Sequence, residues 1–529
     1  MSELKQLEKL LSQGRISRRE FLRRTAAIGV AAAAPGALYS GSAQAAKKGG
    51  KFVVGLGHGS TTDSLDPGTY ENDFMIGSAF TRFNYLTEIS NNGELVGELA
   101  EEWEASSDAK TWTFKVRKGV EFHNGKTMSP ADVVASINHH RGEESGSAAK
   151  PIVDPIVDIK ADGDNVAVTL KDGNADFPYL VSDYHLPIMQ AKDDGVDWQS
   201  GVGTGPYAMQ ANEPGVRMTY KRHANYFKSD RAHFDQVEMI TIGDVAARTN
   251  ALTTGEIHMM DRVDVKTVHL LERNKNVKIE ETSGNGHYSI PMRTNLKPFD
   301  DNNIRLALKY ALDRDALLQT ILRGHGYIGN DHPIGKANRY HAADLPQKSY
   351  DPDKSKFYLK EAGLSEFSVD LSAADAAFGG AVDAAVLFKE HAAKAGITIN
   401  VVREPNDGYW SNVWNTDNRG WCMCYWGGRP TEDWMFSTAY AEGAEWNDSS
   451  WKHAEFNKLL IAARSELDEA KRGDMYVEMQ RLVSDEGGVM VPLFNNYIHA
   501  IGNKVTHDEQ MANNWANDGH KYAERWWFA

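Results

Sequence analysis

Leu99 to Ile137 reads LAEEWEASSDAKTWTFKVRKGVEFHNGKTMSPADVVASI. Thr111 to Arg117 alternates apolar and polar residues, the period of a half-buried strand. Gly119 to Gly125 has turn composition. Ser129 then offers an N-cap, Pro130 fits the first helical position and Asp132 lies in the first turn, so a helix runs on through Val133, Val134 and Ile137. Leu95 to Trp103, just upstream, reads as a short helical or turn segment.

Outward from this stretch, strand and helix patterns alternate. Lys51-Phe-Val-Val is a strand, Phe74 to Leu86 a helix, Phe357 to Ala362 and Ala381 to Ala395 amphipathic helices, and Ile397 to Val402 a strand. Phe456 to Leu467 and Glu469 to Val483 are helices, the latter starting near Asp468. Val489 to Phe494 is a buried strand whose Pro492 places it at an edge or a strand end. The pattern predicts α/β lobes, and 529 residues are too many for one core. Gly55-Leu-Gly-His-Gly59 mimics a dinucleotide loop, but the spacing is GxGxG and turn-like residues follow where a helix should start.

The first 45 residues are an export address. Ser17-Arg18-Arg19-Glu20-Phe21-Leu22-Arg23 fits the twin-arginine pattern, an alanine-rich apolar run follows from Thr25 to Leu38, and Ala43-Gln44-Ala45 is a cleavage signal before Ala46. The expectation is Tat export to the periplasm of a Gram-negative cell, through the Tat translocase, with no lipid anchor. The net charge of −15 argues against nucleic acid as a partner. Cys422 and Cys424 are the only cysteines. Two residues apart on one strand, they are poorly placed for a disulfide and too few for a zinc site, so they read as buried apolar residues.

Further motifs lie in order along the chain: Gly203-Thr-Gly-Pro-Tyr207, Asn225-Tyr-Phe227, Ala251-Leu-Thr-Thr-Gly-Glu-Ile257, Lys297-Pro-Phe-Asp-Asp301 with Arg305 to Asp313, and Tyr350-Asp-Pro-Asp-Lys354 with Ala362-Gly-Leu364. With Leu99–Ile137 they resemble the large periplasmic solute-binding proteins of ABC importers, family 5, which include dipeptide-, oligopeptide- and nickel-binding members. The resemblance implies a two-lobed α/β periplasmic binding protein of type II, with the extra subdomain of the large peptide-binding class and a ligand cleft between the lobes. Residues 46–291 would form lobe I with an inserted subdomain at about 86–202, residues 292–495 lobe II, and residues 496–529 a return to lobe I. It implies a monomer that binds a peptide or small-molecule ligand and docks on permease subunits in the inner membrane, with no cofactor and no chemistry. Neither GxSxG nor HExxH occurs. His139 and His140 diverge on a helix, while His325, His332 and His341 fall in one loop region, where convergence on a metal competes with a plain surface role.

The candidate ligand wall is Gly420 to Phe436, GWCMCYWGGRPTEDWMF. An aromatic wall with one fixed cation beside a glycine turn suits a pocket. On strand parity Trp421, Met423 and Tyr425 share one face, and Cys422, Cys424 and Trp426 the other. Trp426 is favoured near the ligand because it adjoins the Gly427-Gly428 turn. The resemblance aligns Arg429 with an aspartate that holds a peptide's α-ammonium in relatives, and Arg293 with a neutral asparagine. Two arginines there suit a carboxylate ligand, such as an opine-like amino-acid conjugate, in place of a plain dipeptide; a nickel or metal chelate is a further alternative. Either arginine could instead be structural, Arg429 paired with Glu432 or Asp433, and Arg293 with Asp300 or Asp301. A register shift of three or four would bring Glu432 or Asp433 into the ligand role. In lobe I the loop Thr61–Asp66 and the segment Tyr70–Asp73 are the candidates, Asp63 and Asn72 among them.

Overall fold

The computed structural model describes residues 47–406 and 408–529, and the export address lies outside them. Lys48–Ala529 form one compact unit. Its spine is a nine-stranded mixed sheet. In spatial order the strands are Tyr207–Glu213, Arg217–Arg222, Gln236–Thr241, Lys51–Leu56, Met259–Met260, Val489–Gly502, Val277–Pro291 and Cys424–Trp426, with Gly326–Ile328 also on Val489–Gly502.

Two of these strands are long because they serve both lobes. Val277–Ser283 pairs antiparallel with Gly502–Asn496, and His287–Pro291 pairs with Phe494–Val489. The register breaks between Ser283 and His287. Gly284 and Gly286 occupy that break, and a Cβ on Gly284 would meet the Asn495 carbonyl oxygen at 2.8 Å. Glycine is therefore required where the two strands cross from one lobe to the other. The strand Val489–Gly502 is central, with neighbours on both sides, and Pro492 lies within it. The expected placement of Pro492 at an edge or a strand end is overturned. The proline is accommodated beside a second register shift, between the Tyr288 and Ile290 pairings, where the ladder is already interrupted.

The first lobe packs Phe52, Val54, Leu56, Phe74, Tyr207, Phe234 and Trp526 into one core. An antiparallel four-stranded sheet, Ala100–Ala105, Thr111–Val116, Asn165–Leu170 and Ile156–Asp162, forms a separate core with the Pro130–Asn138 helix. Leu95–Gly97 and Ala100–Ala105 are strands, not the helical or turn segment expected of Leu95–Trp103. Apolar residues there are too sparse to show a period, and cross-strand pairing with Thr111–Val116 decides the backbone. The Pro130 helix starts as read. The Asp132 carboxylate accepts from the Ser129 N–H at 2.8 Å and from its hydroxyl at 2.7 Å.

The second lobe has two cores. One surrounds the parallel pair Phe367–Ala373 and Ile397–Arg403, joined by the Ala381–Ala393 helix. The other packs the helices Glu432–Ala439, Ala454–Ser465 and Glu469–Glu486 against Trp426, Val491 and Phe494. No helix among the described residues is long and apolar enough to cross a membrane.

Candidate ligand-binding site

A cavity of about 870 Å³ lies where the lobes face each other. Its walls come from both sides: Asp73, Arg262 and Asn517 from the first lobe, Tyr288 and Arg323 from the second, with Asn496 on a crossing strand. Position and composition both suit a small solute.

The tryptophan stretch forms a strand only over Cys424–Trp426, at the end of the sheet. Tyr425 lies opposite Tyr288 and Trp426 opposite His287. Directly opposed residues share a face, so Tyr425 projects on the side of Tyr288, which lines the cavity. Tyr288 stacks on Phe378 with ring centres 3.8 Å apart, and Tyr425 meets Trp410 edge-on at 5.6 Å. Tyr425 is 49% exposed, while Trp426 is 6% exposed. Trp426 points into the second-lobe core, and its indole N–H donates to Asp448 at 3.2 Å. Trp414 donates to the same oxygen at 3.0 Å. Asp448 is buried, and burial pushes its pKa up to about 6 although both indoles favour the anion. Cys422 and Cys424 are free and buried.

Arg429 is half-buried. Its Nη1 donates to the carbonyls of Gly427 at 3.0 Å and Gly428 at 3.4 Å. Neither carboxylate near it in sequence is its partner. Glu432 accepts from the Tyr340 N–H at 2.7 Å, and Asp433 is held by Arg464 at 3.1 and 3.2 Å. Burial lowers the Arg429 pKa, against the pull of Tyr184 and Asp183 from the first lobe. The guanidinium lies about 6 Å from the Trp426 and Trp434 rings. Gly427 is open, but a Cβ on Gly428 would come within 2.1 Å of the Asn285 Cβ at the strand crossing. The glycine lets the loop carrying Arg429 sit directly on that crossing.

Arg293 has a different fate. It bonds Asp417 through Nε at 2.8 Å and Asn415 through Nη1 at 2.8 Å, in an ion pair within the second lobe. It does not line the cavity, and its partner is neither Asp300 nor Asp301. Asp63 and Asn72 are committed locally. Asp63 accepts from the Ser60 N–H at 2.7 Å and from the Asn72 amide at 3.0 Å, while Asn72 caps the Asp73–Arg82 helix. Asp73, next in the chain, lines the cavity instead. Its signal in sequence is its place in the Tyr70–Asp73 segment, which does not separate it from Asn72.

The histidines do not gather. His325 pairs with Glu281 at 2.9 Å, while the His332 and His341 rings lie 5.9 Å apart. Among the described residues, Glu88, Glu98 and Glu524 come close enough to share an ion, but Lys228 and Lys521 already lie among them, Lys228 at 2.6 to 3.0 Å from all three. That donor set is already neutralised by ammonium groups.

Residues 94–448 match the family described as bacterial extracellular solute-binding proteins, family 5. The chain belongs to this family. It is 26% identical over 463 residues to the dipeptide-binding protein of Escherichia coli (strain K12), covering 81% of this chain and 86% of that one. Among solved structures it is similar to HbpA2 from Haemophilus parasuis, with a TM-score of 0.77 at 20% identity, over 87% of this chain and 96% of that one. It is also similar to the PBP AgaA from A. tumefacien R10 in complex with agropinic acid, with a TM-score of 0.70 at 22% identity, over 91% and 99% of the two chains. These structures share the two-lobed fold, and family membership makes the chain an extracellular solute-binding protein.

Proposed function

We propose that the protein is the periplasmic solute-binding component of an ABC importer, and that it encloses a peptide or peptide-like solute bearing a carboxylate. Arg429 carries this reading. A guanidinium has five N–H donors arranged for bidentate contact with a carboxylate. Here only Nη1 is engaged, by two backbone carbonyls, and no carboxylate forms an ion pair with it among the described residues. Arg429 is not among the residues lining the cavity, but it feels the charges of Tyr184 and Asp183 from the first lobe, and a cation held in that condition between the lobes is matched by an anion from outside the chain. An opine-like conjugate meets the same requirement as a peptide C-terminus. In this reading the chain is a monomer that performs no chemistry, reaches the periplasm by Tat export, and docks in its closed form on permease subunits.

Native mass spectrometry of the protein as isolated identifies what it carries, and calorimetry with that solute tests the role of Arg429. Arg429→Gln is expected to weaken binding by about 10- to 150-fold, the range of a charge-assisted hydrogen bond of about 1.5–3 kcal/mol. Arg293→Gln is expected to leave affinity unchanged. Equal affinity in wild type and Arg429→Gln overturns the carboxylate reading.

A further inference from the structure

The inserted subdomain meets the second lobe at a junction that holds more acids than bases. Trp434, in the Glu432–Ala439 helix of the second lobe, packs against the subdomain core that contains Phe114 and Phe177. The Ala175 N–H donates to the Arg464 carbonyl at 2.7 Å, and Arg339 lies over the Tyr179 ring at 5.7 Å. A Cβ on Gly173 would come within 3.0 Å of the Ser465 Cβ. Three carboxylates are buried here: Asp176 of the subdomain is 3% exposed, and Glu432 and Asp433 of the second lobe are 2% and 8% exposed. Arg472 lies 2.6 Å from Asp176, and Arg464 holds Asp433 at 3.1 and 3.2 Å. Glu432 has only the Tyr340 N–H, at 2.7 Å. A further arginine, Arg339, is paired with Glu469 at the rim. Three carboxylates against two guanidinium groups leave one negative charge unanswered, and such a charge is costly where water is excluded.

Part of that charge arrives only when the lobes meet, because Asp176 acts on Glu432 and Asp433 from across the junction. Burial, joined by this repulsion, pushes the Glu432 pKa up to about 7 against the Tyr340 N–H and Arg472. It pushes the Asp433 pKa up to about 6 against Arg464 and Arg472. The buried hydroxyl oxygens of Tyr340 and Tyr476 make no hydrogen bond among the described residues, and their rings stack at 5.4 Å. Tyr476 feels the charges of all three carboxylates. A protonated carboxyl would supply those oxygens with a donor. A cavity of about 500 Å³, lined by Trp103, Tyr179, Arg339 and Arg472, adjoins the cluster and gives a proton a route from solvent.

We infer that this junction is a proton-coupled latch: closing the subdomain onto the second lobe takes up one proton, shared among Glu432, Asp433 and Asp176, so that acid favours the closed form. A proton shifts the balance of two conformations only by binding one of them more tightly, and the closed form is the one that crowds the three acids. A carboxyl whose pKa is raised in the closed form destabilises that form when ionised. Closure is therefore favoured in acid and weakens as pH rises through about 6 to about 7. The inference rests on the solute-binding reading only for the link between closure and capture, and the chemistry of the solute does not enter.

The test is small-angle X-ray scattering of the protein, without added solute, from about pH 5 to about pH 8. Wild type is expected to have its smallest radius of gyration at the acid end and to expand as pH rises. Glu432→Gln keeps an acceptor for the Tyr340 N–H and Asp433→Asn keeps one for Arg464, each without the charge. Both are expected to stay compact over the whole range. Asp448→Asn removes another buried acid with a pKa of about 6, one bonded to the Trp414 and Trp426 indoles instead. It is expected to expand as wild type does. Melting curves of each variant establish that it is folded. A wild-type radius independent of pH overturns the latch. So does expansion of both Glu432→Gln and Asp433→Asn in step with wild type, or loss of the expansion in Asp448→Asn. These outcomes leave the Arg429 reading standing, since calorimetry tests it separately.

Discussion

The two lobes meet in two charged regions, and the charges are treated in opposite ways. Beside the inserted subdomain, Asp176 and Arg472 lie 2.6 Å apart with side chains 5% and 4% exposed. Nearby the Ala175 N–H donates to the Arg464 carbonyl at 2.7 Å, Arg464 holds Asp433, and Glu432 takes the Tyr340 N–H. Each of these charges has an internal partner. By contrast, the Asp73 carboxylate has no charged partner closer than 3.4 Å, and Arg429 binds only backbone carbonyls. Charges that the fold satisfies hold the lobes together, whereas charges it leaves half-satisfied are offered to a ligand. The first kind should report on stability when removed, the second on affinity.

The largest effect is expected at the satisfied pair. Arg472→Ala leaves Asp176 buried without its counter-charge, and losing one member of a buried pair costs about 3–5 kcal/mol. A urea titration should show a markedly lower midpoint. Adding Asp176→Leu to an Arg472→Met background should recover much of the loss, since apolar replacement of both partners removes the orphaned charge. A single Arg472→Ala variant as stable as wild type would show that the pair does not hold the lobes together.

Asp448, which accepts from the Trp414 and Trp426 indoles, is a further buried charge with internal partners. Its folded pKa of about 6 stands above the ordinary carboxylate value of 3.8. A raised carboxylate destabilises the fold when ionised, so this cost is present at pH 7 and vanishes as pH falls from about 6 to about 4. At about 1.4 kcal/mol per pKa unit it amounts to at most about 3 kcal/mol. Asp448→Asn keeps an acceptor for an indole N–H and has no charge to bury. Relative to wild type, the variant should therefore fare worse at pH 5 than at pH 7. Melting temperatures of both proteins at the two pH values check this, and a difference independent of pH would place the Asp448 charge in a solvated setting.

Legibility in the sequence follows the range of the interaction. The Pro130 helix is readable because Ser129 and Asp132 act within one turn. The family frame is readable because many short motifs fall in order. Arg293 and Arg429 look alike because their difference lies in distant partners: Asp417, 124 residues away, closes off the first. Nothing local distinguishes the committed Asn72 from the cavity-lining Asp73, since the distinction is which side chain caps the helix and which faces the cavity. The glycines favour Trp426 over Tyr425 only by adjacency. The face each residue takes is fixed by pairing with Tyr288 and His287, on a strand more than a hundred residues earlier.

The smallest effect is expected at the glycines, and it isolates the ligand side of the comparison. A Cβ at position 428 would meet the Asn285 Cβ at 2.1 Å and its backbone carbon and oxygen at 2.8 and 2.9 Å, whereas at position 427 the nearest atom is Arg429 Nη1 at 4.0 Å. Overpacking against backbone costs about 1–3 kcal/mol. The Gly428→Ala loop can escape only by lifting off the strand crossing, which carries Arg429 away from the place where the lobes meet. Affinity should then fall by less than it does in Arg429→Gln, while Gly427→Ala binds as wild type. Calorimetry on the pair reads this directly. If both bind as wild type, the position of Arg429 does not depend on the crossing, and its half-satisfied state reflects a loop at rest instead of a contact prepared for a ligand.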